Sequence, residues 1–194
     1  MSAPDLSHLV KTRLEELLTL VNRTLPVKVG SKVRASIRAN FRKGSFYGGP
    51  AWKPPLRLDP STGLSGPAYG PLLSGSNSLM SSVDYIVGPG RVTLRTVLIY
   101  APIHNDGGEI TVTKKMKSYF WAKYHEAGGQ SQGNISKEAE FWRNMALKKV
   151  GSAIKIPQRQ FMGEHPEVDR IIRETIDKEL MEFAKKFTNG STTH

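Results

Sequence analysis

The chain has 194 residues, a formal charge of +11 and no cysteine, with a pI near 9.9. That length fits one domain with its own core, and the missing thiols exclude a disulfide framework and any thiolate metal site. No apolar run nears the roughly 20 residues that span a bilayer. Lys11, Arg13, Glu15 and Glu16 interrupt the sole candidate for a secretory signal, so a soluble, unexported chain with no membrane partner is expected.

Asp5 to Val21 reads as an amphipathic helix: Leu6, Val10, Leu14, Leu17 and Val21 recur at three- and four-residue steps, and Asp5 or Ser7 can cap its start. A second helix is predicted over Val27 to Lys43, with Val29, Val33, Ile37 and Phe41 on one face and Gly44 ending it. Arg34, Arg38 and Arg42 form a parallel stripe beside that face, joined by Lys28, Lys32 and Lys43. Residues 44–70 then form an extended Pro/Gly-rich loop, pinned to the body by Trp52.

Ser74 to Leu79 marks a turn and the start of a short helix. Val83–Val87 and Arg91–Ile99 are expected to pair as a hairpin across Gly88-Pro89-Gly90. Within the second strand Val92, Leu94 and Leu98 alternate with Arg91, Thr93 and Arg95, which suits a sheet with one wet face. Tyr100 to Gly108 reads as the close of that strand and a sharp turn, since Asn105-Asp106-Gly107-Gly108 tolerates positive φ at low cost. Ile110 to Thr113 should return as a strand, and Met116 to Tyr124 should be a short aromatic helix.

Residues 126–135 carry little to bury and are expected to form a mobile loop. Ser136 can cap a helix carrying Phe141, Trp142, Met145 and Val150, after which Ile154 to Gly163 is extended. Pro166 suits the first turn of a last helix, with Glu167 and Asp169 at its positive end and Lys185 and Lys186 at its negative end. Val168, Ile172, Ile176, Leu180 and Phe187 form its apolar stripe, and residues 188–194 are a frayed tail.

Nothing in this order supports an enzyme. His104 and His125 lack the partner spacing of a zinc site, no serine sits in a Gly-x-Ser-x-Gly elbow, and no glycine run carries the Lys-Ser/Thr of a phosphate loop. No catalytic residue, metal or cofactor is therefore expected. A nuclease-like pairing of His104 with Asn105 lacks a second metal-binding histidine, and His104 fits better as a residue that orients a turn.

The basic stripe on the second helix can track phosphates, or it can meet the acidic last helix of a neighbouring subunit. Lys114, Lys115 and Lys117 interleave with Tyr119, Phe120, Trp121 and Tyr124 in a way that could stack on single strands. Met116, Phe120 and Tyr124 at four-residue steps read more simply as a core face, and Trp121 suits an interface.

From about Val27 to Phe183 the chain resembles the Mu-like phage virion morphogenesis, or tail completion, family. The resemblance lies in ordered blocks: a basic helix, Ala51-Trp52-Lys53-Pro54, Leu72-Leu73-Ser74-Gly75 with Leu79 and Ser82-Val83, and Tyr100-Ala101-x-Ile103-His104-Asn105-x-Gly107-Gly108. Val112-Thr113-Lys114-Lys115-Met116 and Ile156-Pro157-Gln158-Arg159-Gln160-Phe161-Met162-Gly163 complete it. Gln160 stands where the family has a second proline, and the spacing from Gly75 to Leu79 is stretched.

The resemblance implies a single α+β domain with a mainly antiparallel sheet flanked by helices, long N- and C-terminal helices, and a tail-terminator-like form. It implies a non-enzymatic role in the virion tail, assembled in the bacterial cytoplasm. There the protein would complete the head-proximal end of the tail for head–tail joining. Its implied partners are other tail and connector proteins and copies of itself in a ring, such as the hexamer that related tail-end proteins often form. Tyr100, Ile103, His104, Asn105, Gly107, Ile156, Pro157, Arg159, Phe161 and Gly163 match the family's signature and are expected to define the fold or an interface. Arg159 is the foremost candidate for a subunit contact, since its fork can grip a neighbour's carboxylate. The alternative is a small basic DNA-binding protein that uses the helix over 27–43, or a transient DNA contact through the same face.

Overall fold

A computed structural model describes residues 6–64, 69–130 and 134–189, the side chains of Arg57 and residues 187–189 apart. Asp5 as a cap, residues 65–68 and 131–133 of the two predicted loops, and the last five residues lie outside them. The class is α+β, as expected. Its antiparallel strands form two separate two-stranded sheets, not a single sheet. The chain divides into two compact units, one of residues 1–39, 81–97 and 163–194, the other of residues 40–80 and 98–162.

The first unit opens with α1 (Leu6–Thr19), which continues into a π-helical stretch, Leu20–Thr24, and then into α2 (Leu25–Lys43). The predicted stripe of α2 is the buried one: Val29, Val33 and Ile37 are all buried. α1 differs, because none of its residues is buried although its apolar spacing is regular. β1 (Asp84–Gly88) and β2 (Arg91–Arg95) pair in the predicted hairpin, with Gly88 opposite Arg91 across Pro89-Gly90. β2 ends at Arg95, four residues short of expectation.

Gly30 explains how the hairpin reaches α2. A Cβ there would lie 2.5 Å from the Tyr85 ring, so only glycine admits the aromatic so close to the helix axis. Arg34 closes the contact, stacked 5.0 Å from the Tyr85 centroid and paired with Asp84 at 3.0 Å. Arg38 donates to the carbonyls of Ser81 and Val83, both at 3.0 Å. α7 (Pro166–Asn189) starts at Pro166 as predicted and runs into the segment expected to fray. Its Glu179 pairs with Lys28 at 2.5 Å.

The second unit begins with the last turn of α2. Gly44 ends that helix at φ +69, the left-handed stop that glycine takes without a Cβ clash. The chain returns through a single bridge between Ser45 and Ala51. Trp52 anchors the loop as expected, packed edge-on against Phe41 with centroids 5.7 Å apart. Two 3₁₀ turns (Leu56–Leu58 and Pro60–Thr62) and α3 (Ser78–Ser82), whose last two residues fall in the first unit, follow.

The segment from Tyr100 departs from expectation. Ala101–Asp106 is a helix, α4, not a strand end and turn. Pro102 sits in its first turn, where a missing N–H costs nothing, and Gly107 and Gly108 take positive φ only after it. β3 (Gly108–Thr111) pairs with β4 (Ala153–Ile156), far along the chain, not with the preceding strand. Between them lie α5 (Lys114–Glu126), capped by Thr113, and α6 (Lys137–Leu147), capped by Ser136 as predicted.

Phe120 is buried and Met116 and Tyr124 are half-buried, which makes the aromatic face of α5 core rather than a stacking platform. Trp121 stays on the surface. Ala127, Gly128 and Gly129 donate back to α5 carbonyls, and the Tyr124 hydroxyl donates to Gly129, so the first part of the predicted loop is a hydrogen-bonded helix end.

Candidate functional site

The signature residues, Gly163 excepted, come together in the second unit around a hydrogen-bonded lock. α4 projects Asn105 from its last turn, and β4 delivers the extended segment Pro157–Met162 beside it. The Asn105 side-chain oxygen accepts from the backbone nitrogens of Phe161 (3.0 Å) and Met162 (2.9 Å), while its amide donates to Asp106 at 2.7 Å. An amide oxygen with two lone pairs is thus fully used. The Arg159 nitrogen in turn donates to the His104 carbonyl at 2.8 Å.

Arg159 is turned inward. Only 6% of it is exposed, and its guanidinium donates to the carbonyls of Lys53 (2.7 Å) and Pro54 (3.3 Å). Within the chain, these donors hold its own Pro-rich loop. Phe161, beside it, is sealed against Phe41 at 5.0 Å between centroids. Four segments distant in sequence are therefore tied together: the end of α2, the Trp52–Pro54 loop, α4 and the segment after β4.

The glycine at 107 is required by the close approach. It sits at φ +73, and a Cβ there would lie 2.8 Å from the Gln158 nitrogen. Gly108 pairs with Ile156 at the start of the β3–β4 ladder, and a Cβ on it would lie 2.8 Å from the Ile103 side chain. Pro157, directly after β4, lines a recess with Lys53, Glu109 and Lys155. Gly163 begins the segment that belongs to the first unit.

Tyr100 caps α4 and faces His104 edge-on at 6.0 Å. Both line a cavity of about 220 Å³ with Leu72, Leu79 and Arg159. Burial, and then the positive charge of Arg159, hold the His104 imidazole below its ordinary pKa. Its Nδ1 is buried and has no hydrogen-bond partner. His104 joins the lock through its backbone carbonyl, which accepts from the Arg159 nitrogen. Among the described residues no group of three His, Asp or Glu side chains is placed to hold a metal ion, and no helix is long and apolar enough to cross a membrane.

The basic candidates are dispersed. Arg34 and Arg38 fasten the hairpin and Lys28 pairs with Glu179, while Lys32, Arg42 and Lys43 are exposed. Sequence reasoning missed the carbonyls of Lys53 and Pro54 as the acceptors for Arg159. The signal was present, since Ala51-Trp52-Lys53-Pro54 was one of the blocks in the family order.

The fold and this lock define a structural scaffold whose signature residues bind one another. A family model described as the phage virion morphogenesis family matches residues 7–181, and the chain belongs to that family. Its role is accordingly one of phage structure and assembly. Comparison with curated proteins and with solved structures gives no match.

Proposed function

We propose that this protein completes the head-proximal end of the phage tail, so that a DNA-filled head can join it. One observation carries the reading: the family match spans residues 7–181, a range that covers all the blocks on which the resemblance rests. The protein then acts in the virion tail after assembly in the bacterial cytoplasm, beside other tail and connector proteins and as a ring of identical copies. A residue set that rigidifies one unit through its own backbone suits a part that must hold its shape while others dock to it. The alternative, a DNA binder built on α2, loses support because three of its six basic residues are engaged within the chain.

The test is deletion of the reading frame from the phage genome that encodes it, with the lysate imaged by negative stain. Filled heads beside unjoined or wrongly ended tails are expected. Normal infectious particles would overturn the assignment.

A further inference from the structure

We propose that α1 is a self-association element, which pairs antiparallel with α1 of a second copy of this chain. The helix has 14 residues, and none is buried. Leu6 is 72% exposed, Val10 59%, Leu14 54% and Leu18 50%. With Leu17 and Val21 these side chains form one stripe along the helix and into the π-helical stretch. An apolar stripe this regular needs a cover.

The charges beside the stripe select the occupant and its direction. At 3.6 residues per turn, Lys11 and Glu15 flank one side of the stripe, and Arg13 and Glu16 flank the other. Each flank is therefore basic toward the N-terminus and acidic toward the C-terminus. In an antiparallel pair each flank meets the same flank of its partner, which brings Lys11 to the second copy's Glu15 and Arg13 to its Glu16. In a parallel pair the flanks exchange, and Lys11 would stand beside Arg13 and Glu15 beside Glu16, like against like. The pattern is self-complementary in one direction only, with the crossing near Leu14. Arg13 already pairs with Glu16 at 2.8 Å along its own helix, so the partner's charges would extend that pair into a network. This contact does not depend on the tail-completion reading.

The chain has no native cysteine, so single thiols report the geometry directly. In a glutathione redox buffer, full-length Leu14→Cys should form a covalent dimer. Leu6→Cys should not, because its two copies would be about 24 Å apart in a pair crossing at Leu14. In sedimentation velocity, the otherwise unaltered chain should be dimeric or a higher even assembly. Leu14→Lys should weaken that association at least about tenfold, with unchanged helix content, since Leu14 is 54% exposed in the single chain. A chain that stays monomeric at all concentrations would overturn the proposal. So would an assembly insensitive to Leu14→Lys, or equal cross-linking at positions 6 and 14.

Discussion

The side-chain oxygen of Asn105 lies 3.0 Å from the backbone nitrogen of Phe161, and in this position it closes a loop of more than fifty residues without any side chain of Phe161 taking part. The same oxygen serves Met162 at 2.9 Å. A single amide therefore fixes the segment that places Phe161 on Phe41 and Arg159 on the Trp52–Pro54 loop. Asn105→Ala leaves two N–H groups without their acceptor, at about 1–3 kcal/mol each where they are buried. The midpoint of chemical unfolding should fall accordingly, with far-UV helix content at low denaturant preserved. An unchanged midpoint would mean that solvent replaces the amide at no cost.

Arg159 offers a sharper discrimination, because internal and intersubunit roles separate under a conservative change. Arg159→Lys keeps the charge but loses the fork that reaches the carbonyls of Lys53 and Pro54. The expected loss is about 2–4 kcal/mol of unfolding free energy, seen at a protein concentration too low for assembly. If stability held and only assembly weakened, the inward role of Arg159 would be refuted.

His104 predicts the sign of a pH effect. Its pKa is lowered from 6.5 in the folded chain, by burial and then by Arg159. The unfolded chain thus takes up the proton first as pH falls, which favours unfolding. Stability contributed by neutral His104 is full above about pH 6.5 and declines as pH drops from there toward the lower folded value. Comparing unfolding midpoints of the native chain and His104→Asn across pH 7.5 to 5 should show a shallower decline in the variant. Parallel curves would remove His104 from the account.

The basic helix should be a poor DNA ligand. Lys32, Arg42 and Lys43 are exposed, while Lys28, Arg34 and Arg38 are held within the chain. With about three phosphates neutralised, log affinity should fall against log salt with a slope near 3 or less, and binding should be weak. Submicromolar affinity at moderate salt with a much steeper slope would restore the DNA-binding alternative. Arg34→Glu should instead lower stability, since it sets two carboxylates together where Arg34 now pairs with Asp84.

Local features were legible because local chemistry decides them. The spacing of Val29, Val33, Ile37 and Phe41 gave the buried face of α2. Gly44, Ser136 and Pro166 gave helix ends, and Pro89-Gly90 gave the hairpin turn. The failures involve competition or distance. Asn105-Asp106-Gly107-Gly108 reads as a turn, yet Pro102 starts a helix that delays the positive φ to Gly107. No local pattern announces that β3 pairs with β4 or that Arg159 turns toward carbonyls more than a hundred residues earlier. The α1 stripe was legible as amphipathic, but periodicity does not say whether its cover lies within the chain.

The most direct test of the central claim is in vitro complementation. Purified full-length protein is added to a lysate from phage lacking the reading frame, and infectious titre is counted. Tail completion predicts filled heads and tails that join on addition, with titre restored. Contradiction would come from a deletion lysate that already has normal titre, or from defective particles that the active, folded protein never rescues.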